Sequence, residues 1–305
     1  MRPSIVNVWL IDGGSEWALV DTGMHTEASM SALRGVMTSL GVEPAAVRHI
    51  ICTHHHPDHF GTSGPLRDLC QGKVLLHPLE AERVGFFLPR ARSAEAAAFF
   101  RGHGIPLDRF MDVPTPGQFW AGLYVPATPD LPLDDDDEIR VGHRTVRVVW
   151  TPGHAPGHCC LHVPDVKALI VGDHLLPKIS PHVGVYPDGP ENPLGDYLAS
   201  LDKVARLDVD LILPAHGGVY RDHRHRVAQL RQHHEYRLLA GLDAVRARPK
   251  TAYEVAREMF DFDADAPPQV QFPATFEALA HLELLISRGK IARQDDGDRI
   301  RFRAS

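Results

Sequence analysis

Cysteine is scarce: the chain has four in 305 residues, Cys52, Cys70, Cys159 and Cys160, and no C-x-x-C pair among them. That pattern argues against a disulfide framework and against a thiolate metal knot, and leaves reduced, mostly buried thiols as the expectation. Cys159 and Cys160 are adjacent in a strand-like run, so their side chains should point to opposite faces. No apolar run reaches the eighteen or so residues that a membrane span needs, and the start, "MRPSIVNVWLIDGGSEW", has no apolar segment leading to a small-residue cleavage site. A cytoplasmic protein with no membrane partner is the expectation. Internal repeats and low-complexity linkers are missing as well, and the last third shows no aromatic platform on which bases could stack.

What is present is an ordinary globular composition, 44% hydrophobic and 23% charged, long enough for one large domain or two of usual size. The net charge of -7 is unevenly spread. Residues 221 to 305 carry +2 and residues 1 to 220 carry -9, so the body disfavours indiscriminate nucleic-acid binding while the C-terminal part leaves it open. Histidine is the excess, at 20 residues. Many lie in arginine-rich stretches such as "YRDHRHRVAQLRQHHEYR" and read as helix surface.

Short apolar runs bounded by turns recur: "IVNVWLI", "WALVD", "VRHIIC", "KVLLH", "RTVRVVW", "CCLHV", "ALIVG" and "VDLILPA". Helical patterns at 25 to 40 and 193 to 206 separate some of them, which argues for a layered α/β fold. Hairpin-like pairs at 5 to 21 and 139 to 164 open two comparable halves, as expected of two sheets packed face to face under helices. Residues 78 to 132 break the rhythm with a helical stretch and a proline-rich loop, a candidate lid insertion. The acidic run at 134 to 138 reads as a solvated turn. From about 221 the chain changes to three helical segments followed by a two-strand ribbon turning at "DDGD", the element order of a winged helix. Domains of 1 to 220 and 221 to 305 follow.

Chemistry concentrates in "CTHHHPDHFG". Strand alternation places His54 and His56 on one side and His55 on the other; Pro57 then ends the extended segment, and Asp58 and His59 start a turn. Two imidazoles followed at once by a carboxylate and a third imidazole offer nitrogen and oxygen ligands in two directions, a spacing that two metal ions can use. Three later apolar runs end in His154, Asp173 and His216, each beside a glycine that permits a tight turn. Groups at the carboxyl ends of strands converge at one sheet edge. Singly, each is as readily a capping or core residue, and a His/Asp cluster can also form a surface hydrogen-bond network. Together the seven point to metal.

With Asp21 in "ALVDTG", then "THHHPDH", "TPGHAPGH", "IVGDH" and "LPAHG", the chain resembles the metallo-β-lactamase superfamily from about residue 5 to 220. The resemblance implies a four-layer αβ/βα sandwich, here with a mostly helical, winged-helix-like module at its C-terminus. It implies that His54, His56 and His154 hold one divalent ion and Asp58, His59 and His216 the other, with Asp173 bridging. Asp21 would orient ligands without joining them. His55 is expected to take no metal, and His158 and His174 are expected to be structural. Zinc suits these ligands, and iron or manganese fit the same set.

Two such ions would share a hydroxide as nucleophile, so the expected activity is a binuclear, metal-dependent hydrolase. Asp58 and Asp173 are its catalytic carboxylates, Asp58 as a proton acceptor when the intermediate collapses. The expected substrate is a small ester, lactone or thioester, with Lys178 and Tyr186 in the 175 to 193 loop as candidate substrate contacts. An endoribonuclease or phosphodiesterase is the alternative, and a mononuclear iron persulfide dioxygenase is a further one. A binding protein with a dead site is disfavoured by retention of all seven ligands, and a homodimer is compatible with the C-terminal module.

Overall fold

The computed structural model describes residues 5–84, 93–106 and 122–305. The central parts of the candidate lid, 85–92 and 107–121, lie outside the described residues. The described chain forms two compact units that alternate along the sequence: 5–84, 122–181 and 200–226 make the first, and 93–106, 182–199 and 227–305 the second.

The first unit holds two five-stranded sheets. One runs β1 (Trp9–Asp12), β2 (Trp17–Val20), β3 (Val47–Ile51), β4 (Lys73–Leu76), β5 (Leu131–Pro132). Its first pair is an antiparallel hairpin and the rest are parallel. The crossovers carry α1 (Glu27–Ser39), the single-turn α2 (Pro57–Phe60), α3 (Ser63–Cys70) and a second single turn, α4 (Pro78–Ala81). The other sheet joins β6 (Glu138–Val141), β7 (Arg144–Trp150), β8 (Cys159–Val163) and β9 (Ala168–Gly172) as an antiparallel meander, with β10 (Leu211–Pro214) parallel to β9.

Alternation along the strands sorts their side chains into two cores. Ala18, Val20, Ile51 and Leu75 of the first sheet pack with Val146, Val148, Cys159, Leu161 and Ile170 of the second, so this core lies between the sheets. Leu19, Ile50, Val74 and Leu76 point the other way, onto Met37 of α1 and Leu66 and Cys70 of α3. The adjacent cysteines divide as their register requires: Cys159 enters the inter-sheet core, while the Cys160 thiol meets Thr151 Oγ1 and the Val171 carbonyl. All four cysteines are free and buried. The acidic run is more than a solvated turn, because Lys203 pairs with Asp135 at 2.6 Å and also donates to the Trp150 carbonyl.

The helices α6 (Pro193–Ala205) and α7 (His223–Ala244) contribute to both units. In the second unit, α5 (Ala94–Gly102), the latter part of α7, α8 (Ala252–Phe260) and α9 (Pro268–Ser287) precede a ribbon of β11 (Ile291–Asp296) and β12 (Arg299–Ala304). The three helices and ribbon expected after residue 221 are therefore present, with the turn at Gly297 in left-handed conformation, φ 68°. A capping box starts α8: Thr251 Oγ1 accepts from Glu254 N–H while Glu254 accepts from Thr251 N–H. Helix α9 is the core of this unit and is apolar on nearly every side, including Phe272, Phe276, Leu279, Leu282 and Leu285. Its buried polar groups are satisfied, Tyr253 donating to Gln271 and Thr275 donating to the Gln271 carbonyl.

His103, just after α5, is 5% exposed, edge-on to Phe99 and stacked on Phe302. Burial, with Arg293 nearby, pushes its imidazole down from 6.5 to about 4. The unfolded chain therefore binds a proton that the folded chain refuses between those two values, and stability falls as pH drops through that window. His103→Phe, which keeps the ring contacts, should flatten the pH dependence of the metal-free protein's unfolding free energy by about one proton, roughly 3 kcal/mol across the window. Urea titrations at stepped pH check this.

Candidate metal centre

Five strand ends of the first unit deliver the predicted residues. Asp21 follows β2, His54 to His59 follow β3, His154 follows β7, Asp173 follows β9 and His216 follows β10. Pro57 occupies the first position of α2, where its missing N–H costs nothing, and His59 and Phe60 N–H bond the His56 carbonyl at 2.9 Å. That single turn swings Asp58 and His59 out of the strand direction. Gly172 has φ 48°, and a Cβ there would lie 2.6 Å from His158 Nε2 and 2.9 Å from Thr53, so the chain can pass only as glycine. A register shift between Leu213 and Pro214 in the β9/β10 pairing precedes His216 and re-aims the strand end.

Three imidazole nitrogens meet first: His54 Nε2 is 2.9 Å and His154 Nε2 is 3.0 Å from His56 Nδ1. A second cluster follows. His216 Nε2 lies 3.3 Å from Asp58 Oδ2, and His59 Nε2 lies 3.7 Å from the same oxygen. Asp173 stands between the two, with Oδ2 3.6 Å from both His59 Nε2 and His154 Nε2, and Oδ1 3.5 Å from His216 Nε2. The three groups His54/His56/His154, His54/His59/Asp173 and Asp58/His59/His216 are each close enough to hold one ion.

Partners behind these rings set their tautomers. His59 Nδ1 donates to Asp21 Oδ2 at 2.9 Å and His216 Nδ1 donates to the Ile5 carbonyl at 2.7 Å, which turns both Nε2 lone pairs toward the carboxylates. Thr53 Oγ1 donates to Asp21 at 3.0 Å and so accepts from His54 Nδ1, again freeing Nε2. Thr53 N–H also donates to Asp21 Oδ1 at 2.8 Å. Asp21 holds this post with a left-handed backbone, φ 61°. His158 accepts the Asp173 backbone N–H on Nε2 at 3.2 Å and bonds Thr151 Oγ1 through Nδ1, so it fixes the carboxylate's backbone from a fully buried position.

Lone pairs facing carboxylates are unfavourable unless positive charge lies between them. His59 Nε2 and Asp173 Oδ1 are buried with no hydrogen-bond partner. Burial would raise both carboxyls, but without a cation His59 takes the charge instead: against its own burial, Asp58, Asp173 and Asp21 push its imidazole up, and the protonated ring holds Asp58 and Asp173 far below the usual carboxylate range, a proton standing where a cation would replace it. Burial and neighbouring imidazoles push His54 and His56 down, so they stay neutral and able to ligate. A donor set of five imidazoles and two ionised carboxylates, with orphaned atoms aimed inward, fits divalent cations.

The other sequence candidates have the following surroundings. The His55 ring turns away to Glu80. His174 is fully buried, and burial pushes it down to about 3. Lys178 is exposed in the first unit. Tyr186 belongs to the second unit, where its hydroxyl bonds His182 Nε2 at 2.9 Å and its ring packs 4.8 Å from Phe276. Sequence reasoning missed Thr53, whose place directly before the histidine run is a weak signal, and Glu80, which carries no pattern at all.

Comparison with known proteins agrees with this geometry. The sequence model of the metallo-beta-lactamase superfamily matches residues 1–216, and that of the metallo-beta-lactamase-like C-terminal domain matches 238–305. A metallo-beta-lactamase family protein from Thermus thermophilus is 36% identical, with 98% of this chain and 94% of that one covered and a TM-score of 0.82. A beta-lactamase domain protein from Burkholderia ambifaria is 32% identical over 100% of this chain and 90% of that one, with a TM-score of 0.84. Human acyl-coenzyme A thioesterase MBLAC2 is 29% identical over 226 residues, 69% of this chain and 72% of that protein. The lactamase-like protein nscB of Aspergillus fumigatus is 27% identical over 270 residues, 83% of this chain, and the match spans 65% of that protein's length. Model match, fold and ligand geometry together show that the chain belongs to the metallo-beta-lactamase superfamily.

Proposed function

We propose that this member of a superfamily of metal-dependent hydrolases opens a small ester, lactone or thioester, an acyl thioester foremost, at a two-cation centre. The observation that carries the reading is the pair of ligand groups, His54/His56/His154 and Asp58/His59/His216, converging on opposite sides of Asp173. Two bound divalent cations would supply Lewis acidity toward the acyl oxygen and bring the acidity of water near neutral pH. His59 and His216 present Nε2 because Asp21 and the Ile5 carbonyl hold their Nδ1 protons. Asp58, whose side chain is 29% exposed, is the ionised carboxylate of the group within reach of solvent. It accepts the water's proton as the new carbon–oxygen bond forms and returns it to the departing sulfur or oxygen as the old bond breaks. No cysteine competes as nucleophile: all four are buried, and burial pushes Cys70 up to about 11 and Cys160 up to about 12. Likeness to human acyl-coenzyme A thioesterase MBLAC2 supports the thioester as the leading substrate class. Zinc, iron and manganese all suit the donor set. No helix among the described residues is long and apolar enough to cross a membrane.

The test is a substrate panel for the metal-loaded protein: acyl-coenzyme A thioesters of graded chain length, aliphatic lactones, a chromogenic phosphodiester and a low-molecular-weight persulfide. Release of free thiol from a thioester, lost in His56→Ala, is the expected result. Phosphodiester cleavage, or oxygen uptake with the persulfide and no thioester turnover, would overturn the reading.

A further inference from the structure

Glu80 lies in the one-turn helix α4, outside every ligand motif, yet it is 0% exposed. Its carboxylate is divided between two loops. Oε2 accepts the His55 backbone N–H at 3.0 Å and meets the His55 ring Nδ1, while Oε1 accepts the Gly157 N–H at 2.6 Å. His55 sits between His54 and His56, and Gly157 lies three residues after His154 and one before His158. The three imidazoles of the first group therefore hang from two backbone segments that one buried carboxylate ties together. Further contacts support the same junction: Trp150 Nε1 donates to the Pro156 carbonyl at 2.9 Å, its ring stacks on His77 at 5.5 Å, and Tyr124 donates to the His55 carbonyl at 3.3 Å. There is no slack, since a Cβ on Gly157 would stand 2.6 Å from His77 Nδ1 and 2.8 Å from Glu80 Cγ.

We infer that Glu80 is a positioning residue for one cation only, locking His56 and His154 at their 3.0 Å separation and so setting affinity at the His54/His56/His154 position. A proton can bridge these nitrogens only pairwise, whereas a cation needs all three lone pairs at one point, and a rigid anchor in the protein is what holds them ready. The Asp58/His59/His216 position is anchored separately, through Asp21 and the Ile5 carbonyl, and should not depend on Glu80. The inference rests on the two-cation reading above.

In Glu80→Gln the side chain keeps its size, but its NH2 faces either the His55 or the Gly157 N–H, so one loop loses its acceptor. Gly157→Ala reaches the same junction from the other side by steric pressure. The metal-free forms of wild type and both variants are titrated with Zn2+ against a chromogenic chelator, and their metal-free thermal midpoints are recorded. Both variants should bind one equivalent about 10- to 100-fold more weakly, with the other equivalent unchanged. Wild-type affinity for both equivalents in either folded variant would overturn the inference, as would a parallel weakening of both in step with lost thermal stability. Should wild type itself bind no Zn2+, the two-cation reading fails instead, and the two failures are thereby distinct.

Discussion

Replacing Asp173 with asparagine should lower hydrolytic turnover by a factor of about 10^2 to 10^4, a barrier rise of about 3–5 kcal/mol, because the charge that faces both ligand groups is removed. The side chain is 13% exposed and faces three imidazole nitrogens belonging to both ligand groups. An amide of the same shape keeps the packing and removes the charge that both positions share. It also turns an N–H toward at least one nitrogen that needs a cation in front of it. Loss of turnover should therefore come with loss of bound cation, seen by elemental analysis of the same preparation. Two equivalents per chain together with near wild-type turnover would show that Asp173 is not the shared carboxylate.

Asp21→Asn is the second large effect, and it acts without touching a cation. The Asp21 carboxylate accepts from His59 Nδ1 with one oxygen and from the Thr53 N–H with the other. An asparagine satisfies one and opposes the other with its own N–H. If it opposes His59, the proton moves to Nε2 and the ring can no longer ligate; if it opposes Thr53, the Thr53 N–H meets an N–H and the backbone that carries His54 is displaced, even though the Thr53 hydroxyl can still donate to the other oxygen. Either way metal affinity and activity should fall about 10- to 100-fold. Excess metal should restore part of the activity in Asp21→Asn, since every ligand is still present, whereas Asp173→Asn should stay inactive. Equal behaviour of the two variants under metal rescue would deny Asp21 its orienting role.

The candidate ligands were legible as a group because each carries a local mark. The strand ends at Ile51, earlier than the proline suggested, yet His54 and His56 still turn to one another and His55 to Glu80, Pro57 opens α2, and each later candidate closes an apolar run beside a glycine. The order of the last elements was legible too, since the helical periodicity and the "DDGD" turn are local signals that the ribbon β11/β12 fulfils. Glu80 was not legible, because its importance comes from reaching residues 25 and 77 positions away. His158 shows the same limit: it stands in a recognisable motif, but nothing in the sequence says that it accepts the Asp173 N–H across 15 residues. Nor could spacing show that the chain's compact units interleave, with 182–199 joining 227–305, because that depends on tertiary contacts alone. What sequence missed is therefore long-range support, and what it caught is the chemistry that the support holds.

The most direct test of the two-cation centre is anomalous scattering from crystals of the metal-loaded protein, measured on both sides of the metal's absorption edge. Two peaks about 3.5–4 Å apart, one beside His54, His56 and His154 and the other beside Asp58, His59 and His216, are the predicted result. A single peak or none, in crystals of protein that turns over substrate at the full rate, would contradict it.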